Sequence, residues 1–556
     1  MENRNFFQRV FTGRRGRKLR EYLTAYIFIA PASILIFIFG IFPVFFALFV
    51  SFHRWRIKRT DFIDLRNYIN ALGNLAYVMV FFLGLGALAG LYLLIRRVIK
   101  TAKEHGDKPW IAILPGLIQA VTVFGLFNWA YRLLPEVLDI ADKLRGIQQT
   151  QKVLMRFLGE AWRAESVLPS WRFFYIALLA SVVVGLVVWR LWRNPRNMFY
   201  QSNFMMSFLA LGIGIGLLYY TQQQVGLAYA TAMADGVDPG IWPQFITISS
   251  GVILLLLSWL IWRSAEKVLS GKAFFGRIAA AAVLMVGAWL LIGEIPTIIA
   301  AGDKNMWEGL RVTVFFSLGT VPFQLIISLF LAVLLFQSVR GSNIFRIIFF
   351  IPYVTPAVAS AVVFQQMFSN RQSAPINMLL RFLGLPPQQW LYEPAGIITL
   401  IGNHFGLTVP AWAAGPSLAL TVIILHSIWT YVGYNTVIYL AGLGNISRDL
   451  YDAAEVDGAS NWQTFWAITF PLLSPTTYFL SLIGIIGTFK AFNTIWILRS
   501  NLALGTTDTF SVTIFLEFFE KLRYGYASAL AFILFAIILA LSLINNRVQG
   551  SRVFYG

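Results

Sequence analysis

The chain has 556 residues, of which 58% are hydrophobic, 16% aromatic and only 12% charged, and it carries a formal net charge of +19. That composition lies outside the range of soluble domains and needs no nucleic acid to explain its basic excess, which falls in short clusters between apolar runs. With no cysteine, disulfides, thiol catalysis and cysteine-based metal sites are excluded, and His53, His105, His404 and His426 lie at no metal-ligand spacing.

Crossing the hydrocarbon core takes about 20 apolar residues in a helix. A basic N-terminal stretch, MENRNFFQRVFTGRRGRKLREY, is followed by a long apolar run without a small-residue cleavage site, which reads as an uncleaved first helix. Apolar windows then fall at 23–52, 75–95, 110–134, 172–192, 203–220, 244–262, 276–293, 311–336, 344–368, 417–441, 465–488 and 525–545. Backbone groups in lipid must pair within their own segment, and the alternating pattern of a membrane barrel is absent. The expected fold is therefore an all-α polytopic membrane protein with about 12 transmembrane helices. The run 395–409, interrupted by Asn403 and His404, is too short to span and reads as a loop or interfacial piece.

Placing the N-terminus in the cytoplasm puts most basic clusters there as well: Arg14, Arg15, Arg17, Lys18 and Arg20; Arg96, Arg97, Lys100, Lys103 and Lys108; Arg190, Arg193 and Arg196; Arg263, Lys267, Lys272 and Arg277; Arg340 and Arg346; Arg547 and Arg552. The expectation is a multi-pass protein of a prokaryotic cell membrane with both termini cytoplasmic. One loop resists: HRWRIKRTDFIDLR (53–66) is basic yet falls on the outer side.

The cytoplasmic loop between the windows 417–441 and 465–488 is different in kind. It holds Asp449, Asp452, Glu455 and Asp457, with Arg448 as its one basic residue. Asp452 and Glu455 fall one turn apart on a short helix, beside the small Ala453 and Ala454. Gly458 permits a sharp turn, Ala459 to Ile468 can form a second short helix, and Pro471 can open the next span. On local chemistry alone this is equally a solvated loop with ordinary turn residues.

The stretch LYDAAEVDGASNWQTFWAITFPLLSPT (450–476) resembles the EAA loop of permease subunits in binding-protein-dependent ABC importers. The family pattern is Glu-Ala-Ala, three residues, Gly, nine residues, then Ile-x-Leu-Pro. Asp452-Ala453-Ala454, Gly458 and Ile468-Thr469-Phe470-Pro471 stand at those spacings, with Asp for Glu and Phe for Leu. Residues 1–72 and about 303–556 are similar to the sugar-importer branch, its maltose-type first permease subunit, through segments such as 26–52, 341–368 and 524–534. SNLALGTTD (500–508) stands where the family has a glycine-rich stretch.

The resemblance implies a six-helix core made of 1–72 and 301–556, and a coupling role for Asp452, Ala453, Ala454, Glu455, Asp457, Gly458, Ile468 and Pro471 in the 448–471 loop. It implies as partners an ATP-binding cassette subunit dimer, a second permease subunit, an extracellular substrate-binding protein, membrane lipid and a sugar or oligosaccharide. No cofactor is expected in this chain, since ATP and Mg belong to the partner. No phosphate-binding loop is found; the nearest fragment, SGKAFFG (270–276), lacks the first glycine and the Ser/Thr. The block 73–300, with about six inserted helices, has no family counterpart and reads as peripheral wrapping or as a platform for a partner or lipid. Its stretch 135–171 is amphipathic enough to lie on the outer surface.

For a substrate path, Ser427, Tyr431, Tyr434 and Asn435 share one helix face at i, i+4, i+7 and i+8, while Gly484, Gly487, Thr488 and Ala491 make a small-residue face. Lys490 and Asn493 fall near the outer end of the second. The rival functions are a stand-alone ion-coupled secondary carrier and a membrane scaffold.

Overall fold

In a computed structural model, residues 14–56, 59–148, 150–192, 194–234, 236, 241–265, 271–292, 302–337, 341–410 and 413–549 are described. Lys58, Arg193, Lys267, Arg340 and Arg552 of the basic clusters lie outside them, as does Ser270 of the fragment 270–276. The chain enters through α1 (Arg14–Ile36), passes a π-turn at Phe37–Ile41 into α2 (Phe42–Ser51), and forms a hairpin of β1 (His53–Trp55) and β2 (Arg59–Phe62) before α3 (Arg66–Leu72). Next come α4 (Leu75–His105), α5 (Ile113–Leu138), α6 (Gln151–Arg163), α7 (Leu168–Leu191), α8 (Asn197–Ala234), α9 (Ile241–Ala265) and α10 (Gly271–Ile292). They are followed by α11 (Lys304–Phe336), α12 (Ser342–Val354), α13 (Ala357–Met367), α14 (Pro375–Phe382), α15 (Ile397–His404), α16 (Leu418–Gly444) and α17 (Arg448–Val456). The last elements are α18 (Asn461–Leu472), α19 (Ser474–Phe489), α20 (Asn493–Leu498), α21 (Phe510–Phe515) and α22 (Tyr524–Gln549).

Each of the twelve apolar windows lies mostly in helix where it is described. Among the described residues nine helices are long and apolar enough to cross a membrane, and eleven if two bent pairs are each one span. The pair α12–α13 bends by 92°, where Pro352 and Pro356 bracket Tyr353, Val354 and Thr355; the pair α18–α19 bends by 60°. Helix α10 runs over the 22 residues Gly271–Ile292. Residues 397–404, expected as a loop or interfacial piece, form the short helix α15.

The basic loop 53–66 also departs from expectation, because it is folded. The Asn67 side chain donates to the carbonyls of Ser51 (2.8 Å) and His53 (3.1 Å), the His53 ring bonds the Phe49 carbonyl at 2.8 Å, and Gly525 at the start of α22 lies against the His53 carbonyl. A Cβ at position 525 has no room there, so glycine is needed for the close approach.

The chain divides into two units, Met1–Gly73 with Ile299–Gly556, and Asn74–Ile298. In the first, α11 packs along α16, with polar groups joining the helices where lipid offers no alternative partner. Gln324 donates to the Ser427 carbonyl (3.0 Å), Ser328 to the Val432 carbonyl (2.9 Å), and Thr488 of α19 to the Ser317 hydroxyl (2.8 Å). The two parts of this unit meet at the backbone, where the Asp303 amide donates to the Ala71 carbonyl at 3.1 Å. At Gly433 the α12 backbone comes so near that any Cβ would strike the Phe349 carbonyl.

In the second unit, α4 and α8 approach at Gly84 and Gly214, α5 meets α8 through a Gln119–Gln201 bond of 2.8 Å, and Thr122 donates to the Ala177 carbonyl of α7 at 3.0 Å. Trp129, Trp162 and Trp171 pack ring on ring with centroids 4.7–5.0 Å apart, which ties the amphipathic α6 to α5 and α7. In the turn after α4, Asp107 accepts from Asn194 (2.6 Å), Tyr200 (2.8 Å) and Arg196 (3.2 Å). Burial works to raise the Asp107 pKa, but these donors outweigh it and hold the carboxyl below the ordinary carboxylate range.

Two outcomes follow from this packing. Gly433→Leu should cost about 3 kcal/mol or prevent assembly, because the clash is with backbone; thermal unfolding of the detergent-solubilised chain reads it. A carboxylate held low stabilises the fold above the unfolded aspartate pKa of about 3.9 and loses that contribution as pH falls through the lower folded value. Asp107→Asn should therefore lower the melting temperature at pH 7, with the gap from the native chain closing as the pH is taken below about 4.

Candidate functional site

A cavity of about 470 Å³ opens among α11, the α12–α13 break, α16, α19 and α20. All six residues expected on a substrate path, Ser427, Tyr431, Tyr434, Asn435, Gly484 and Thr488, line it. They do not have equal freedom. The Ser427 carbonyl is taken by Gln324, Thr488 is bonded to Ser317, and Gly484 packs against Val321, so these three also hold helices together. The hydroxyls of Tyr431 and Tyr434 and the amide of Asn435, which is 7% exposed, make no hydrogen bond among the described residues.

Several lining residues were not evident from the sequence. Tyr353 sits in the last turn of α12, just before the break at Thr355–Pro356, where its ring stacks on Tyr434 (centroids 4.5 Å, planes 22° apart) and meets Tyr431 edge-on at 5.8 Å. The flanking prolines are the one sequence signal that this turn faces something other than lipid. Gln324 and His426 come from tertiary packing alone; His426 is buried, with its Nε2 3.1 Å from the Ser360 hydroxyl. Lys490 lines the cavity too. It follows two residues after Thr488, which is bonded to Ser317 of α11.

The second feature is the elbow of α17 and α18. Helix α17 starts at the Ser447 cap, whose hydroxyl accepts from the Asp449 amide at 3.3 Å. It ends where Gly458 takes φ +74°, with the Gly458 amide on the Glu455 carbonyl (3.0 Å) and the Ala459 amide on the Ala454 carbonyl (2.9 Å). That paired closure is the Schellman arrangement, which favours glycine at the left-handed position. Two residues later Ser460 and Gln463 close a capping box, with bonds of 3.3 Å and 2.8 Å, and helix restarts. The S-x-x-Q spacing was in the sequence and passed unnoticed.

The second helix was expected over Ala459 to Ile468 with Pro471 opening a span. It runs from Asn461 through a π-turn at Phe465–Thr469 to Leu472, with Pro471 at the start of the helical turn after the π-turn, and α19 follows from Ser474. Asp452, Ala453, Glu455, Asp457 and Gly458 are exposed, while Ala454, Ile468 and Pro471 are half-buried. Among the described residues none of Asp452, Glu455 and Asp457 is ion-paired. Beside them stand uncovered apolar side chains, Val456 at 88% and Trp462 at 69% exposure. The two helices of the elbow are linked by a Tyr451–Thr469 hydroxyl bond of 3.2 Å.

A bundle of membrane-spanning helices broken around a polar cavity, with a capped and charged elbow at one end, defines the class as a membrane permease. Residues 324–552 match the family described as binding-protein-dependent transport system inner membrane component. The chain is 32% identical over 257 residues to the probable ABC transporter permease protein YesP of Bacillus subtilis, covering 46% of this chain and 75% of that one. It is 29% identical to the arabinooligosaccharides transport system permease protein AraP of the same organism, over 44% of this chain and 71% of AraP. The solved structure of a bacterial ABC transporter involved in import of the acidic polysaccharide alginate is similar over 45% of this chain and 80% of that one, with 22% identity and a TM-score of 0.39.

The chain belongs to this family of binding-protein-dependent inner-membrane permeases. It is longer than the relatives it matches, and that length includes the unit Asn74–Ile298, which lies outside the matched residues 324–552.

Loss of the capping hydroxyl in Ser460→Ala should cost about 1 kcal/mol at the start of α18. Hydrogen exchange should then speed up at the amides of 461–464 by about fivefold while those of α16 stay unchanged.

Proposed function

We propose that this chain is one permease subunit of an ATP-driven importer for sugars or oligosaccharides, and that the elbow 448–471 is where it takes up force from an ATP-binding cassette dimer. The observation that carries the proposal is the elbow itself. Asp452, Glu455 and Asp457 are unpaired on an exposed surface, next to uncovered Val456 and Trp462, and the Gly458 closure and the Ser460 box fix the angle between its two short helices. Charges with no partner in their own chain fit a basic partner surface, and a capped elbow transmits displacement where a floppy loop would absorb it.

In this reading both termini and the elbow are cytoplasmic, and ATP and Mg are held by the cassette subunits and not by this chain. A second permease completes the path, and an extracellular binding protein delivers the substrate. The unit Met1–Gly73 with Ile299–Gly556 forms the conducting core, and the unit Asn74–Ile298 is an accessory block in the membrane. The cavity supports a carbohydrate cargo: Tyr353 and Tyr434 offer flat rings for the apolar faces of a sugar, and Asn435 and the tyrosine hydroxyls offer groups for its polar edge. The name of AraP agrees with that cargo. A stand-alone ion-coupled carrier is disfavoured by membership of a binding-protein-dependent family.

The test is co-purification and coupled uptake. The solubilised chain should bring down an ATPase, and Asp452→Lys with Glu455→Lys should weaken that association at least about tenfold, as like charges meet. Gly458→Trp should abolish association or leave ATP hydrolysis running without uptake. Undiminished pull-down together with full coupled uptake in Gly458→Trp would refute the docking role.

A further inference from the structure

Lys490 is the one charged side chain lining the cavity, and no aspartate or glutamate faces it there. Among the described residues its ammonium makes neither a hydrogen bond nor an ion pair, although its backbone amide closes on the Ile486 carbonyl at 3.2 Å. It caps the C-terminal end of α19, at the break before α20, two residues from the Thr488–Ser317 bond near the middle of α11. The favourable dipole of that helix end explains why a cation is tolerated at this position. The Lys490 side chain is exposed, and none of the described residues lining the cavity supplies it a counter-charge.

Two further features mark the place as built for a ligand. Asn435, 7% exposed and its amide without a hydrogen bond among the described residues, lines the same cavity, and the Tyr353–Tyr434 stack forms an aromatic wall of it. We infer that the cavity selects an anionic carbohydrate, one whose carboxylate or other acidic group pairs with Lys490 while its ring lies against the tyrosines and its hydroxyls reach Asn435. This rests on the reading of the cavity as a carbohydrate path and adds a charge preference to it. The cargo itself then brings the missing counter-ion, so a neutral sugar would occupy the cavity with the ammonium unpaired. Pairing with a positioned cation discriminates by about tenfold or more.

The chain has no cysteine, so a single Thr494→Cys at the cavity wall gives a unique reporter whose maleimide labelling a bound sugar would slow. In the assembled transporter, without its binding protein, trigalacturonate should protect this cysteine at about one-tenth the concentration that maltotriose requires. Adding Lys490→Met should raise the trigalacturonate requirement about tenfold and leave that of maltotriose unchanged, while Lys490→Arg should keep the preference. High salt should narrow the gap.

Equal protection by the two sugars, in the native background and in Lys490→Met alike, would overturn the charge preference and leave the carbohydrate reading standing. Protection by neither sugar would overturn both. Loss of protection by both sugars in Lys490→Met, with a lowered melting temperature, would make the lysine a helix cap and overturn the inference.

Discussion

Inside a bilayer a backbone amide or carbonyl that lacks a partner costs several kcal/mol, and every break in a spanning helix must answer for the groups it frees. The first unit has two such breaks facing one space, at Thr355–Pro356 and at Lys490–Phe492, and they meet around the same cavity. Irregular backbone at this depth is tolerated where it lines a polar interior. The cavity and the breaks therefore sustain each other: prolines bend α12 into α13, the bend delivers Tyr353 to α16, and the opening relieves the backbone of contact with lipid. Around it the side-chain bonds Gln324–Ser427, Ser328–Val432 and Thr488–Ser317 hold the walls in register.

The same economy governs the elbow. Two short helices, each with four unpaired backbone groups at either end, would be weak in water, yet here ends are closed by Ser447, Gly458 and Ser460 in turn. With its termini satisfied internally, the segment can leave its acids and its exposed Val456 and Trp462 uncommitted. Stability comes from caps, and the outward face stays free for a partner. That separation of duties lets a surface element be stiff without being buried.

Much of this was readable from the residues in order, because lipid leaves the chain so few choices. Apolar windows had to be helices, and the spacing of Ser427, Tyr431, Tyr434 and Asn435 had to put them on one face of α16, which is where they stand. The glycine and acids of the elbow were legible through their spacing. What escaped was set by contacts between distant parts. Tyr353 reaches the cavity only because a 92° bend turns it there, and two prolines signal a bend without its size or direction. Gln324 falls on a polar face of α11 with Thr313, Ser317, Thr320 and Ser328, but such a face shows that the helix packs and not that it meets a cavity. The β-hairpin at 53–62 was hidden because its pairing is three or four residues long and its residues are basic, a composition that reads as loop. Hydropathy registers composition and cannot see where a run bends, so 344–368 and 465–488 each read as one window although each is a bent pair of helices.

The hydrogen bond from Asp303 to Ala71 joins the two stretches of the first unit on either side of the long segment between them. Gly302 lies against the same carbonyl and has no room for a side chain. The first unit thus closes on itself across the intervening segment, whose two flanks stand at neighbouring points. Chain length can vary between two such points without asking the contacts across that bond to change.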